Sequence, residues 1–318
     1  MNLLKKIFDQ EEFKIKPPVL IDIGASGHIH YSWKKIAPYS ICVAFDADNR
    51  EFKVDDSTSK GFKKLYTFNA LVSDVNEVKT NFFLTRSPYC SSALKPDQEK
   101  LNKWAFAEKF IVDSSIQLNS TTINNALKQI GIDYIDWFKT DSQGMDLRLF
   151  RSLGNENIKN ILGVEMEPGI IDSYIGEDKL PTILNFMSGN GFWLADIIVK
   201  GSQRISNKTM SNISASSFYR KVISFSHKKS PGWTELLFFN EIMPSFTKRE
   251  FMLAWVFAII QKQYGFAYEI VEEAKTKYPD SIFSEMMKKT KYLLMFNLFN
   301  LNLLKTVKEK ISKMLSLD

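Results

Sequence analysis

Three histidines and two cysteines in 318 residues leave little material for metal or thiol chemistry. Cys42 and Cys90 sit in no zinc or redox spacing, and two thiols in a chain of this length make no disulfide framework. Fourteen glycines and ten prolines are too few for low-complexity disorder. The longest apolar run, FMLAWVFAII from Phe251, falls well short of the ~20 residues that cross a bilayer. The first residues, MNLLKKIFDQEEF, interrupt their apolar positions with acid, so no signal peptide is expected. These absences point to a cytoplasmic protein, and they leave peripheral contact at the inner membrane face open.

What is present is an ordinary globular composition, 44% apolar and 25% charged, enough for one large domain and a smaller one. The net charge of +6 favours an anionic partner without choosing among phosphate, acidic glycan and membrane surface.

Short apolar runs alternate with helical patterns. Val19–Ile23, after Pro17-Pro18, predicts a strand buried on both faces. HIHYSWKKIA predicts a helix stopped near Pro38. SICVAFDAD, LYTFNALVSD, IDYIDWFKTD and NILGVEMEP predict four further strands, FWLADIIV a sixth and TELLFFN a seventh, with TNFFLTR as an added hairpin strand. Residues 85–118 read as loop with a polar helix around Trp104. STTINNALKQIG reads as a helix capped at Ser120 or Thr121 and stopped at Gly131. GMDLRLFRSLG is a further helix, and in DKLPTILNFMSGNG, Leu180, Ile183, Leu184 and Met187 share a helical face. The pattern predicts an α/β fold with a parallel sheet covered on both faces. Strand after strand ends in acid, and in such sheets ligands bind at that edge. Asp22, Asp46, Asp74, Asp141 and Glu165 are therefore expected to converge on one crevice.

From about Ser245 the chain reads as amphipathic helices. Ala267, Ala274 and Pro279 match one tetratricopeptide-type hairpin, and a single such unit is no array. YLLMFNLFNLNLLKTVKEKISKML continues as an amphipathic helix or pair. The helical region suits packing on the domain or on a second copy in a homo-oligomer, with a membrane-surface helix as the alternative. The expected organisation is a lead-in over 1–17, a main domain over 18–243 with a basic insertion at about 200–231, and a helical region over 244–318.

Gly24-Ala25-Ser26-Gly27 removes bulk where strand meets helix, so a ligand can approach the backbone. It is not the dinucleotide fingerprint. Asp46 lies 22 residues after Gly24, at the next strand end, where an acid accepts from both ribose hydroxyls; Asp48 competes for the role. A crevice ringed by Asp22, Asp141 and Glu165 suits a cation better than a pyrophosphate. The residues thus lean towards S-adenosylmethionine, whose sulfonium is cationic, and towards methyl transfer.

VLIDIGASG, VAFDAD, NALVSD, SSALKPD, IDWFKTDSQGMDLRLFRSLG and GVEMEP, in this order, resemble the FkbM-type S-adenosylmethionine-dependent methyltransferases. Lys139-Thr140-Asp141-Ser142-Gln143-Gly144 with Asp146 is similar to that family's K-x-D-x-[EQ]-G-x-[ED] signature. The resemblance covers about residues 18–240. It implies a Rossmann-like class I methyltransferase sheet with an antiparallel seventh strand, and methylation of a hydroxyl on a sugar, glycan or related natural product. It also implies that Asp22, Gly24 and Ala25 hold the methionine part and Asp46 the ribose. Ser73 and Asp74 would lie beside the adenine, with Lys139 and Asp141 near the methyl group. Two positions depart from the pattern: His28 stands where the first turn usually has glycine, which comes one residue early at Gly27. Asp46-Ala47 replaces the usual Glu-Pro after the second strand.

The acceptor proton needs a base, and Asp141, Glu165, Glu167, His28 and His30 are candidates, with Lys139 a partner for Glu165. Asp141 and Glu165 also suit a divalent metal, although no spacing motif marks one. Cys90 beside Ser91-Ser92 is a weak nucleophile candidate. From Ile197 to Thr234 there is no acid, while Lys200, Arg204, Lys208, Arg220, Lys221, Lys228 and Lys229 accumulate, with His227 among them. This is either a solvated loop or a cradle for an anionic acceptor, with Tyr219 and Trp233 able to stack on a sugar. No base-reading pattern accompanies it, so no nucleic acid is expected. Two other readings compete. A nicotinamide oxidoreductase would use a Tyr/Lys pair, but the Tyr31-x-x-x-Lys35 spacing in the first helix is taken as chance. A non-catalytic module on the same fold would bind no cofactor.

Overall fold

A computed structural model describes residues 3–25, 30–48, 50, 61–75, 79–298 and 307. The chain divides into two compact units, residues 18–241 on one hand and residues 1–17 with 242–318 on the other. The N-terminal segment, read above as a separate lead-in, thus belongs with the C-terminal helices. Along the chain come α1 (Leu3–Phe8), α2 (Glu11–Ile15), β1 (Val19–Ile23), β2 (Ile41–Phe45), β3 (Lys64–Phe68), β4 (Leu71–Val72), β5 (Lys79–Thr85), α3 (Gln98–Leu101) and β6 (Val112–Thr121). Then follow α4 (Ile123–Gln129), β7 (Trp137–Thr140), α5 (Asp146–Arg151), α6 (Asn155–Lys159), β8 (Gly163–Met166), α7 (Leu180–Gly189), β9 (Phe192–Ser202), α8 (Asn207–Ile213), α9 (Ser217–Ser226), β10 (Ser230–Asn240), α10 (Lys248–Ile260), α11 (Tyr264–Lys277) and α12 (Ser281–Leu298).

The larger unit is built on a seven-stranded sheet in the order β3-β2-β1-β7-β8-β10-β9. The pairs β1–β2, β1–β7, β2–β3 and β7–β8 are parallel, and β10 runs antiparallel to both of its neighbours. β1 and most of β2 are buried, as continuous Val/Ile/Leu/Phe runs in a parallel sheet require. On one face, Val19, Ile21, Ile23, Val43, Phe45, Phe138 and Val164 pack against α4, α5, α6 and α7 in a single core. Ile183 and Met187, four apart, turn α7 into that core. On the other face Trp33, Trp137, Phe239 and Trp193 meet ring to ring, with centroids 5.9–6.4 Å apart.

Several local expectations change. Residues 30–39 form two short 3₁₀ turns, Tyr31–Trp33 and Ala37–Tyr39, instead of a helix. The expected third strand splits: β3 stays in the large sheet, and β4 joins a second sheet, β4-β6-β5. β6 runs through the segment read as loop, almost wholly exposed and held by its antiparallel ladder with β5. Trp104 lies in a turn beyond α3. The cap of α4 is Thr122, whose Oγ1 accepts from Asn125 N at 3.1 Å. The basic insertion is helical, α8 and α9, between β9 and β10.

In the smaller unit α10 opens on a capping box formed by Thr247 and Glu250. Every residue from Phe251 to Ala258 is buried, so α10 is enclosed on all sides and not amphipathic. Trp255 Nε1 donates to Thr290 Oγ1 of α12 at 2.8 Å. Lys248 bridges Glu12 and Asp280 at 3.0 and 2.9 Å. Much of the tail read as a further amphipathic helix lies outside the described residues. Among those described, no helix is long and apolar enough to cross a membrane.

Phe150 of α5 is fully buried, with Phe138, Phe192 and Phe186 at ring centroids of 5.1, 6.0 and 6.4 Å. Phe150→Ala is expected to destabilise the fold by about 3–5 kcal/mol. Urea unfolding should show a lower midpoint at unchanged slope.

Candidate functional site

Sheet register places Ala44, Asp22, Lys139 and Glu165 side by side on four adjacent strands, β2, β1, β7 and β8. Residues in one row share a face, so the three ionisable side chains meet. Lys139 Nζ bonds Asp22 Oδ1 at 2.9 Å, both side chains nearly buried. Burial works to lower the Lys139 pKa, but the Asp22 and Asp141 charges outweigh it and hold the ammonium above the ordinary lysine value. Burial pushes Glu165 up to about 7, against the pull of Lys139 and the Trp137 indole. Burial, with Lys139, pushes His30 down to about 4, Asp22 opposing. His30 Nε2 lies 3.8 Å from Glu165 Oε2. At neutral pH this contact is a neutral imidazole facing a half-protonated carboxyl.

The turn after β7 is held by its own residues. Asp146 Oδ1, fully buried, accepts from Thr140 Oγ1 at 2.8 Å, Ser142 Oγ at 2.8 Å and Ser142 N at 3.1 Å. Burial still pushes the Asp146 carboxyl up to about 6. Gln143, at φ 56°, donates to Asp141 Oδ1 and accepts from Tyr174 OH at 2.9 Å. Ser92 Oγ donates to Gln143 O at 2.8 Å. Burial raises Asp141 above the usual carboxylate range, while Lys139 and Gln143 oppose it. Gly24, at φ 80°, carries no side chain for good reason: a Cβ there would lie 2.4 Å from Asp141 O. The ends of β1 and β7 therefore touch backbone to backbone.

These ends, with that of β2, border an open cleft. Asp46, Ala47, Asp48 and Asp141 line it, facing an apolar wall of Leu71, Val72, Phe82, Met145 and Leu149. The described lining residues include no lysine or arginine. The Gly24 and Ala25 amides both donate to Phe45 O, at 3.0 and 3.1 Å, and so are not offered to a phosphate. The two competing acids separate clearly. Asp48 is gripped by Arg50, at 2.6 Å from Nη2 and 3.0 Å from Nε. Asp46 accepts Asp48 N on Oδ1 at 2.7 Å. Burial raises its carboxyl to about 6, the Asp48 amide opposing.

The remaining sequence candidates fall elsewhere or outside. Asp22, Lys139 and Glu165 form the ionic row and do not line the cleft. Ser73 is buried and bonds Asp74 and the Val75 amide, while Asp74 is exposed; neither lines the cleft, whose wall is made by Leu71 and Val72 just before them. Ser26, Gly27 and His28 lie outside the described residues. Glu167 is raised by burial and by the Asp141 charge. Cys90 is buried and its thiol pushed up to about 11, which leaves no thiolate for attack. Among the described residues no cluster of three His, Cys, Asp or Glu suits a metal ion. Gln143 stands in the signature without a role assigned to it; Arg50, two residues after Asp48, and Tyr174, which has no sequence signal, are new here.

Compared with known proteins, the chain is matched by no family model and by no curated sequence.

The two opposed shifts of His30 and Glu165 cancel in stability. Between about pH 4.5 and 6.5 the unfolded chain holds His⁺ and Glu⁻, and the fold holds neutral His and protonated Glu, the same proton count. His30→Gln exposes the Glu165 slope: stability then falls as pH rises from 4.5 to 7, by up to about 1.4 kcal/mol per pH unit. Glu165→Gln exposes the His30 slope: stability falls as pH drops from 6.5 to 4. Urea midpoints across this range check both signs against wild type; parallel curves would refute the assignment.

Proposed function

We propose that the protein transfers a methyl group from S-adenosylmethionine to a hydroxyl of a sugar, glycan or related natural product, on a Rossmann-like sheet of the class I methyltransferase type resembling the FkbM enzymes. The observation that carries this reading is the cleft itself. It joins an acid at the end of β2 that accepts only a backbone amide among the described contacts, a glycine-enforced close approach at the end of β1, and an apolar wall, with no lysine or arginine among its described lining residues. That donor set fits a diol, an adenine ring and a positive charge, and it repels a pyrophosphate. The antiparallel β10, inserted between β8 and β9, is the feature expected of that sheet.

In this reading Asp46 accepts from the ribose hydroxyls, and Leu71, Val72, Met145 and Leu149 enclose the adenine. Asp141, held by Gln143, faces the cationic centre. When bound, S-adenosylmethionine supplies an electrophilic methyl on sulfonium, and the acceptor oxygen takes it as the carbon–sulfur bond breaks. Asp141 is the motif carboxylate placed to hold the acceptor's proton. Lys139 and Glu165 act through the row behind it as positioning residues. The acid-free segment from 197 to 234 emerges at the same sheet edge, which favours an anionic acceptor such as a phosphorylated lipid carrier or nucleotide sugar.

Isothermal titration with S-adenosylhomocysteine, beside NAD, tests the reading. Micromolar binding is expected for the first, weakened about 100-fold in Asp46→Ala, in line with loss of a charge-assisted pair of bonds. Because Asp46 titrates near 6, affinity should be constant above pH 7 and fall as pH drops through 6, with this dependence gone in Asp46→Asn. A folded protein that binds neither ligand at millimolar concentration overturns the proposal, and preferential NAD binding shifts it to hydride transfer.

A further inference from the structure

α9 leaves large apolar side chains in water together with its charged ones. An amphipathic helix ordinarily buries its apolar stripe and exposes its polar one. In α9, Phe218, Tyr219 and Val222 lie on one side at helical spacing, with Lys221 flanking them and Arg220 on the opposite side. It is the apolar side that stands in solvent: Phe218 is 67% exposed, Tyr219 62% and Val222 44%. Ile213, the last residue of α8, adds a fourth large apolar side chain at 59%. Four exposed large apolar side chains gathered on one short insertion, two of them ring to ring, are the kind of surface that interactions use.

The charge around the patch narrows the partner. From Arg204 to Lys229 the sequence carries Arg204, Lys208, Arg220, Lys221, Lys228 and Lys229 and not one acid. Lys208, Lys228 and Lys229 are exposed, so the apolar stripe is bracketed by cations before and after it along the chain. An apolar phase directly beneath a layer of negative charge is what an anionic bilayer surface offers. Phenylalanine and tyrosine suit the level of the headgroups. We propose that the α8–α9 insertion docks the protein on an anionic membrane surface, with Phe218, Tyr219 and Val222 entering the headgroup–acyl boundary and the surrounding lysines and arginines binding the lipid phosphates. This inference stands independently of the methyl-transfer reading, since it concerns lipid binding without cofactor.

Flotation of the full chain with vesicles tests it. Vesicles of phosphatidylcholine with 30% phosphatidylglycerol (about three lipids in ten, enough for a negative surface potential) are compared with pure phosphatidylcholine in about 0.15 M salt. Partitioning into the anionic vesicles should exceed that into neutral ones at least tenfold. Phe218→Ser with Val222→Ser, which leaves the charge unchanged, should lower it about tenfold at an unchanged circular dichroism spectrum. Lys228→Gln with Lys229→Gln should weaken it and flatten its salt dependence. Equal partitioning of wild type into both vesicles, or full binding by the serine variant, overturns the proposal. Failure to float together with salt-dependent binding of polyglutamate assigns the face to an acidic protein and overturns it as well.

Discussion

One buried ion pair organises this protein. Lys139 and Asp22 face each other across the central strands β7 and β1, where each charge has lost most of its water. Such a pair recovers its desolvation cost only with good geometry, and removal of one partner leaves a bare charge in the core. The pair therefore fixes the alignment of the two strands at their carboxyl ends. It also sets the field around it. The ammonium counters the burial that raises Glu165 and Asp141, and it helps keep His30 neutral. Burial is the larger influence on Glu165 and Asp141, and the shared cation opposes it at both.

From that alignment the shape of the cleft follows. With β1 and β7 locked, Gly24 meets Asp141 backbone to backbone, and the chain must turn at once. Asp146 makes the turn by collecting Thr140 and Ser142 on one oxygen. Gln143 is driven to positive φ and its side chain braces Asp141 from Tyr174. The eight residues from Lys139 to Asp146 that look like a chemical motif are thus first a mechanical one. Only Asp141 of them presents a carboxylate to the cleft.

Much of this was legible in the sequence, for a physical reason. Strands buried on both faces are short runs of Val, Ile, Leu and Phe, and their ends show as sudden acid or glycine; β1, β2, β7 and β8 all announce themselves this way. The antiparallel TELLFFN strand is there as β10. Other elements are imposed by partners far away in sequence. β6, VDSSIQLNST, has almost no buried face and is a strand because β5 pairs with it. α10 hides its period because all sides are buried, and the Ser- and Asn-rich insertion conceals two helices behind a loop-like composition. In the site, the acids at strand ends were visible, but the division into a cleft and an ionic row behind it was not. Alternation decides it: Asp22, Lys139 and Glu165 point to one face of the sheet, whereas Asp46 and Asp141 lie just past the strands where the faces end.

Arg50 has a consequence for the width of the cleft. Its guanidinium ties Asp48 to Thr85 O and Ser91 Oγ, at 2.9 and 2.7 Å, and so joins two parts of the cleft's border to the end of β5. Displacing any one of them breaks a bond to the same guanidinium. Widening the cleft at this point therefore costs at least one charge-assisted bond to that guanidinium.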